Sequence, residues 1–134
     1  MEYKPVVRDG NPAEAVVIRC IDPDFQVQFD TVQSELVKGK YDPLAVAGPD
    51  FSIVNEEYPL QQIRLAHQLH KISRVIILPH INCKRIDISD ESAELKRHQE
   101  LLDQGRDKIT EEFPDIQVEG YVLGWDSVIY SMKD

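Results

Sequence analysis

The sequence has no apolar run near the roughly 18 residues that a membrane span needs; its longest apolar stretches are strand-sized. The opening Met1-Glu2-Tyr3-Lys4-Pro5 is followed by nothing that resembles a secretory signal. These absences predict a cytoplasmic protein with no membrane partner. Cysteine is scarce, at two residues, and in a reducing compartment both should be free, so metal binding or catalysis is expected of them before a disulfide. Basic residues are outnumbered, 15 against 24 acidic ones, for a formal net charge of −9. That charge repels phosphate backbones and excludes general nucleic-acid binding. The acids are dispersed through helical stretches and read as a solvated surface. Glycine is also sparse, six in all, and its spacing matches no phosphate-binding or dinucleotide fingerprint; Gly48-Pro49 reads as a turn.

There is no repeat, low-complexity tract or linker, so residues 1–134 are expected to form one domain. A 42% share of hydrophobic residues is ordinary for a globular chain and sufficient for a core without staples. Four short segments read as buried strands: Glu14 to Cys20, Leu44 to Ala47, Arg74 to Pro79, and Val118 to Leu123. The first and third are β-branched and nearly continuously apolar, as in parallel strands covered on both faces.

Helical spacing lies between them. Phe25, Phe29, Val32 and Leu36 share a stripe, with Gly39 as a stop. A second helix starts between Asn55 and Pro59, with Leu65, Leu69 and Ile72 on its inner stripe. A third runs from Ser89 or Asp90 to Phe113, with Asp90 as its cap, Leu95, Leu102, Ile109 and Phe113 facing inward, and Pro114 ending it. Strands alternating with helices imply an α/β domain of three layers, a parallel sheet with right-handed crossovers. Such sheets place their chemistry beyond the carboxyl ends of the strands.

Both cysteines fall there. Cys20 closes the first strand, and Cys83 follows the third within His80-Ile81-Asn82-Cys83. Two thiolates and an imidazole suit zinc better than magnesium or calcium. The alternative makes the cysteines small buried hydrophobes and His80 an ordinary loop histidine.

Cys20-Ile21-Asp22 with His80-x-x-Cys83 resembles the paired Cys-x-Asp-x-Arg and His-x-x-Cys motifs of the β-class carbonic anhydrases. Asp42-Pro43-Leu44-Ala45-Val46-Ala47-Gly48 resembles the strand and glycine turn between those motifs, and His98 to Trp125 the ending of short members of the group. The resemblance implies about four strands in the order 2-1-3-4, a homodimer or higher homo-oligomer, and Zn2+ held by Cys20, His80 and Cys83. Asp22 would be a fourth ligand or the catalytic carboxylate held off the metal, in a lyase that reversibly hydrates carbon dioxide or a related small molecule.

Two departures bear on that activity. Asp24 stands where the motif has the arginine that restrains the aspartate, and Lys84 where glycine follows the second cysteine. With Asp22 unrestrained, the site would close into a non-catalytic zinc centre that serves dimerisation or partner recognition. Lys84, Arg85 or Arg19 are the substitute cations to consider, though Arg19 lies within a strand and should face elsewhere. His67 and His70 read as surface helix residues, the Glu56-Glu57 and Glu111-Glu112 pairs as solvated helix ends. His98 also lies on a helix, and only the arrangement of the short members that the chain resembles would have it reach toward the site.

Overall fold

The computed structural model describes residues 1–8 and 13–133. Strand β1 (Ala15–Cys20) leads through a 3-10 turn (Pro23–Phe25) into α1 (Gln26–Leu36). Strand β2 (Tyr41–Val46), helices α2 (Pro49–Asn55) and α3 (Tyr58–His70), and β3 (Arg74–Leu78) follow. The chain then forms α4 (Glu91–Glu112), β4 (Gln117–Leu123) and β5 (Val128–Met132).

The sheet order is β2-β1-β3-β4-β5. The first four strands are parallel, with Ile18 opposite Leu44 and Ile77, and Ile77 opposite Gly120. The expected order 2-1-3-4 holds. A fifth strand, unforeseen from the sequence, adds antiparallel to β4. It is hard to read because Val128, Ile129 and Tyr130 run together without the alternation of a half-buried strand, and Val128 and Ile129 are exposed. Strand β2 keeps Pro43 because it lies at an edge, where a missing N–H breaks no ladder.

Two cores flank the sheet. Val16, Ile18, Val75, Ile77, Val118 and Val122 meet Ile53, Leu60, Ile63, Leu102 and Ile109 from α2, α3 and α4. Ala15, Val17, Ile76, Leu78, Tyr121 and Leu123 meet Phe25, Phe29 and Val37 on the α1 side. The even–odd division follows from the two-residue period of a strand. Phe29 is fully buried, and truncating such a ring to alanine costs roughly 3–5 kcal/mol.

Three expectations need correction. Gly48-Pro49 does not merely turn the chain: Gly48, at φ 62°, precedes a helix with Pro49 in its first turn, the position at which proline's missing N–H is harmless. In α3 the inner stripe is Leu60, Ile63 and Ala66, whereas Leu65 and Leu69 are exposed. The true stripe is offset because Ile72 lies past the helix end and its burial says nothing about the helical face. Helix α1 ends at Leu36, before Gly39, as Val37 turns extended to enter the core. Asp90 caps α4 as expected, accepting from the Ala93 N–H at 3.0 Å.

Candidate metal centre

The carboxyl ends of β1 and β3 are adjacent in the sheet, so Cys20 and the His80–Cys83 loop arrive at one place. His80 continues the β3 line: it forms a bridge to Leu123, fixed by Leu123 N–H to Pro79 C=O and Ile81 N–H to Leu123 C=O, both at 2.9 Å. Its fully buried ring stacks on Phe25 at 4.3 Å between centroids and meets Phe29 edge-on at 6.1 Å. Asn82, at φ 59°, turns the chain so that Cys83 returns toward Cys20.

The metal-ligating atoms of Cys20, His80 and Cys83 lie within 4.8 Å of one another, and all three residues are buried. His80 Nδ1 donates to the Ile81 carbonyl at 2.6 Å, which fixes the tautomer and leaves Nε2 as a lone pair. That nitrogen is buried and has no hydrogen-bond partner among the described residues. A buried polar atom without a partner is costly, and here a cation would satisfy it.

Asp22 completes the surroundings. Its Oδ1 accepts from the Asp24 N–H at 2.8 Å, capping the 3-10 turn, and its Oδ2 lies 3.6 Å from His80 Nε2. Two atoms each about 2 Å from a tetrahedral ion are about 3.3 Å apart. Two thiolates and an imidazole gathered this closely fit a metal ion; the Asp22 carboxylate borders the cluster and is not among the ligand atoms that lie within 4.8 Å of one another.

The electrostatics suit thiolates. Cys20 is pulled down to about 4: the Cys83 thiol donates to it, and this outweighs burial with help from His80 and the N–H groups of Gly48 and Asp22. Cys83 is pushed up by the neighbouring Cys20 sulfur and by burial, against the N–H groups of Ile86 and Arg85. Without a cation the pair gives up one proton readily and resists losing the second; a dication between the sulfurs removes that resistance. Burial lowers the His80 pKa, but Cys20, the Ile81 carbonyl and Asp22 raise it above the ordinary value.

None of the three substitute cations pairs with Asp22. Arg19 binds Asp30 at 2.7 Å, Arg85 pairs with Glu56 at 3.1 Å and lies over the Phe51 ring, and Lys84 is exposed at the cleft wall. One Asp22 oxygen is held by the backbone N–H of residue 24, present whatever its side chain, and the other is left facing His80. The cleft over the site has a volume of about 330 Å3 and is lined by Asp22, Asp24, Asn82, Lys84 and Arg85 beside Cys20, His80 and Cys83.

The remaining histidines divide. His70 bonds Asp42 at 2.7 Å and His67 packs on Phe113, both at the surface and away from the cleft. Glu56 and Glu112 are helix-end partners of Arg85 and Arg64. His98 does not reach into the cluster. It lies fully buried behind it, its Nδ1 2.6 Å from Asp50 and its Nε2 3.1 Å from Glu94. The Glu94 carboxylate in turn accepts from the Asn82 and Cys83 N–H groups at 2.7 and 2.9 Å. Neither Glu94 nor Asp50 stands out in the sequence among 24 acids. The available signal is Glu94 four residues before His98, one turn apart on the helix after the His-x-x-Cys loop.

No family model matches the chain. It is 28% identical over 133 residues to an uncharacterized protein of Rickettsia bellii, covering 89% of this chain and 81% of that one. An uncharacterized protein of Rickettsia conorii is 26% identical over 133 residues, covering 89% and 72%. Among solved structures, the β-carbonic anhydrase of Aspergillus fumigatus superposes with a TM-score of 0.63 at 13% identity, over 92% of this chain and 76% of that one. A Trichomonas vaginalis β-carbonic anhydrase gives 0.60 at 12%, over 97% and 87%. A tetrameric β-carbonic anhydrase of Sordaria macrospora gives 0.57 at 14%, over 86% and 77%. The chain has the β-carbonic anhydrase fold, with a Cys-His-Cys cluster at the carboxyl ends of its strands.

Proposed function

We propose that the protein binds one Zn2+ through Cys20, His80 and Cys83, with the Asp22 carboxylate at the fourth position. The observation that carries this reading is the division of that carboxylate: one oxygen is tied to the Asp24 N–H, the other faces the unpartnered Nε2 of His80. By formal count two thiolates and a neutral imidazole leave zinc near zero charge, and Asp22 makes the centre a closed anion, the usual form of a structural site. In this reading the centre fixes the loops after β1 and β3 for homodimerisation or partner recognition. The thiols must stay reduced, which a cytoplasmic location provides.

The cleft over the site favours a second reading, a lyase that hydrates carbon dioxide or a related small molecule. Zinc at an open site lowers the pKa of a water to about 7. The chain's own part is then to move Asp22 off the fourth position and use it to position the reactants, while Phe25 and Phe29 hold the His80 ring. Elemental analysis of purified protein should find about one zinc per chain, as a single tetrahedral site requires. Hydration rates separate the readings. The closed site predicts little or no hydration by the wild type and a modest gain in Asp24→Arg, whose planar two-pronged donor can draw Asp22 away. Brisk wild-type hydration would establish the lyase, and metal-free protein would defeat both.

A further inference from the structure

Behind the cluster lies a second group of polar side chains that metal ligation does not use. Asp50, Glu94 and His98 come from α2 and α4, and all three are buried to 1% exposure or less. The chain seldom buries two carboxylates and an imidazole together without giving each a partner. Here every contact is made. Asp50 Oδ1 accepts from the Phe51 N–H at 3.1 Å and its Oδ2 meets His98 Nδ1. His98 Nε2 meets Glu94 Oε2, which also takes the Cys83 N–H, while Oε1 takes the Asn82 N–H. Both ring nitrogens face carboxylate oxygens, an arrangement satisfied at both ends by an imidazole with a hydrogen on each nitrogen.

From this geometry we infer that Glu94, oriented by His98 and Asp50, is the positioning residue that presets the His80–Cys83 loop for metal. The inference rests on the zinc reading above. Two successive N–H groups bound to one carboxylate fix both peptide planes of the turn. Asn82 holds a left-handed φ of 59°, a conformation that asparagine tolerates better than most residues with a Cβ, and the two bonds hold the turn in it. Cys83 Sγ is thereby aimed at Cys20 before any ion arrives. His98, itself held by Asp50, bonds Glu94 Oε2, so the carboxylate cannot turn away without breaking buried bonds. Supporting groups of this kind typically alter metal affinity by about 10–100-fold.

The test is zinc affinity, by competition with a chromophoric chelator, in the wild type, Glu94→Gln and a remote control, Ile109→Val. Glutamine keeps the shape but offers one acceptor where the carboxylate offers two, so one N–H of the turn loses its partner. Glu94→Gln should bind zinc about 10–100-fold more weakly. Its cobalt-substituted form should show shifted thiolate-to-metal absorption, and its Asn82 and Cys83 amides should exchange faster in metal-free protein. Ile109→Val trims the core away from the loop; it should lower the melting temperature and leave affinity unchanged. Glu94→Gln affinity within twofold of the wild type would overturn the inference while the zinc reading stands. A wild type that binds no zinc would overturn both. Should Glu94→Gln fail to fold, Asp50→Asn decides: a loss of about threefold or more supports the positioning role, and unchanged affinity refutes it.

Discussion

Removing zinc should lower the melting temperature by an amount that can be worked out in advance. Among the described residues His80 Nε2 is buried with no hydrogen-bond partner, and Cys20 and Cys83 together give up one proton readily and resist losing the second. Zinc relieves both, and because the donors come from the end of β1 and from the loop after β3, far apart in sequence, the unfolded chain cannot present them together. Binding to the folded state alone, at free zinc a hundredfold above the dissociation constant, stabilises it by about 2.7 kcal/mol. For 134 residues the unfolding entropy is about 0.28 kcal/mol/K, so the midpoint should rise by about 10 °C. Calorimetry with buffered zinc and then with chelator reads this directly. Cys83→Ser should melt at the same temperature in both conditions, below the zinc-loaded wild type. A wild-type midpoint that does not move between zinc and chelator would refute the reasoning.

Other predictions concern packing, pH and assembly. A Cβ on Gly120 would lie 2.6 Å from Leu102 Cδ2, so Gly120→Ala should cost about 1–3 kcal/mol by denaturant unfolding; a neutral result would mean that α4 slides freely on the sheet. Burial raises the pKa of Glu119, but bonds from Arg74 at 2.7 Å and Tyr121 at 2.6 Å outweigh it and hold the carboxyl below the usual glutamate value. Its stabilising contribution is thus full above the ordinary pKa of about 4.3 and lost as pH falls through the lowered folded value. Glu119→Gln should flatten that part of the stability profile, and an unchanged acid limb would contradict the assignment. Light scattering at micromolar concentration should report a homodimer, in keeping with an exposed edge at β2 or β5; a monomer at every concentration would remove dimerisation as the role of the site.

The first four strands and the gathering of Cys20, His80 and Cys83 at strand ends are legible in the sequence because each depends on local pattern, whereas the strand order follows only from the resemblance to the β-class carbonic anhydrases. A β-branched run marks a buried parallel strand, and a parallel sheet collects its chemistry at one edge. What stays hidden depends on pairing across the chain. Asp50 and Glu94 look like any surface acid until α2 and α4 pack together and bury them. The group that holds one Asp22 oxygen is a backbone N–H, which every residue but proline supplies and which no side-chain motif reveals. Strand β5 owes its place to pairing with β4, since its own residues carry no alternation.

The central claim is best tested by anomalous diffraction at the zinc edge from crystals grown with zinc. The account predicts one peak among Cys20 Sγ, His80 Nε2 and Cys83 Sγ, with Asp22 Oδ2 as the fourth ligand. No peak there, or a peak bound by other residues, would contradict it.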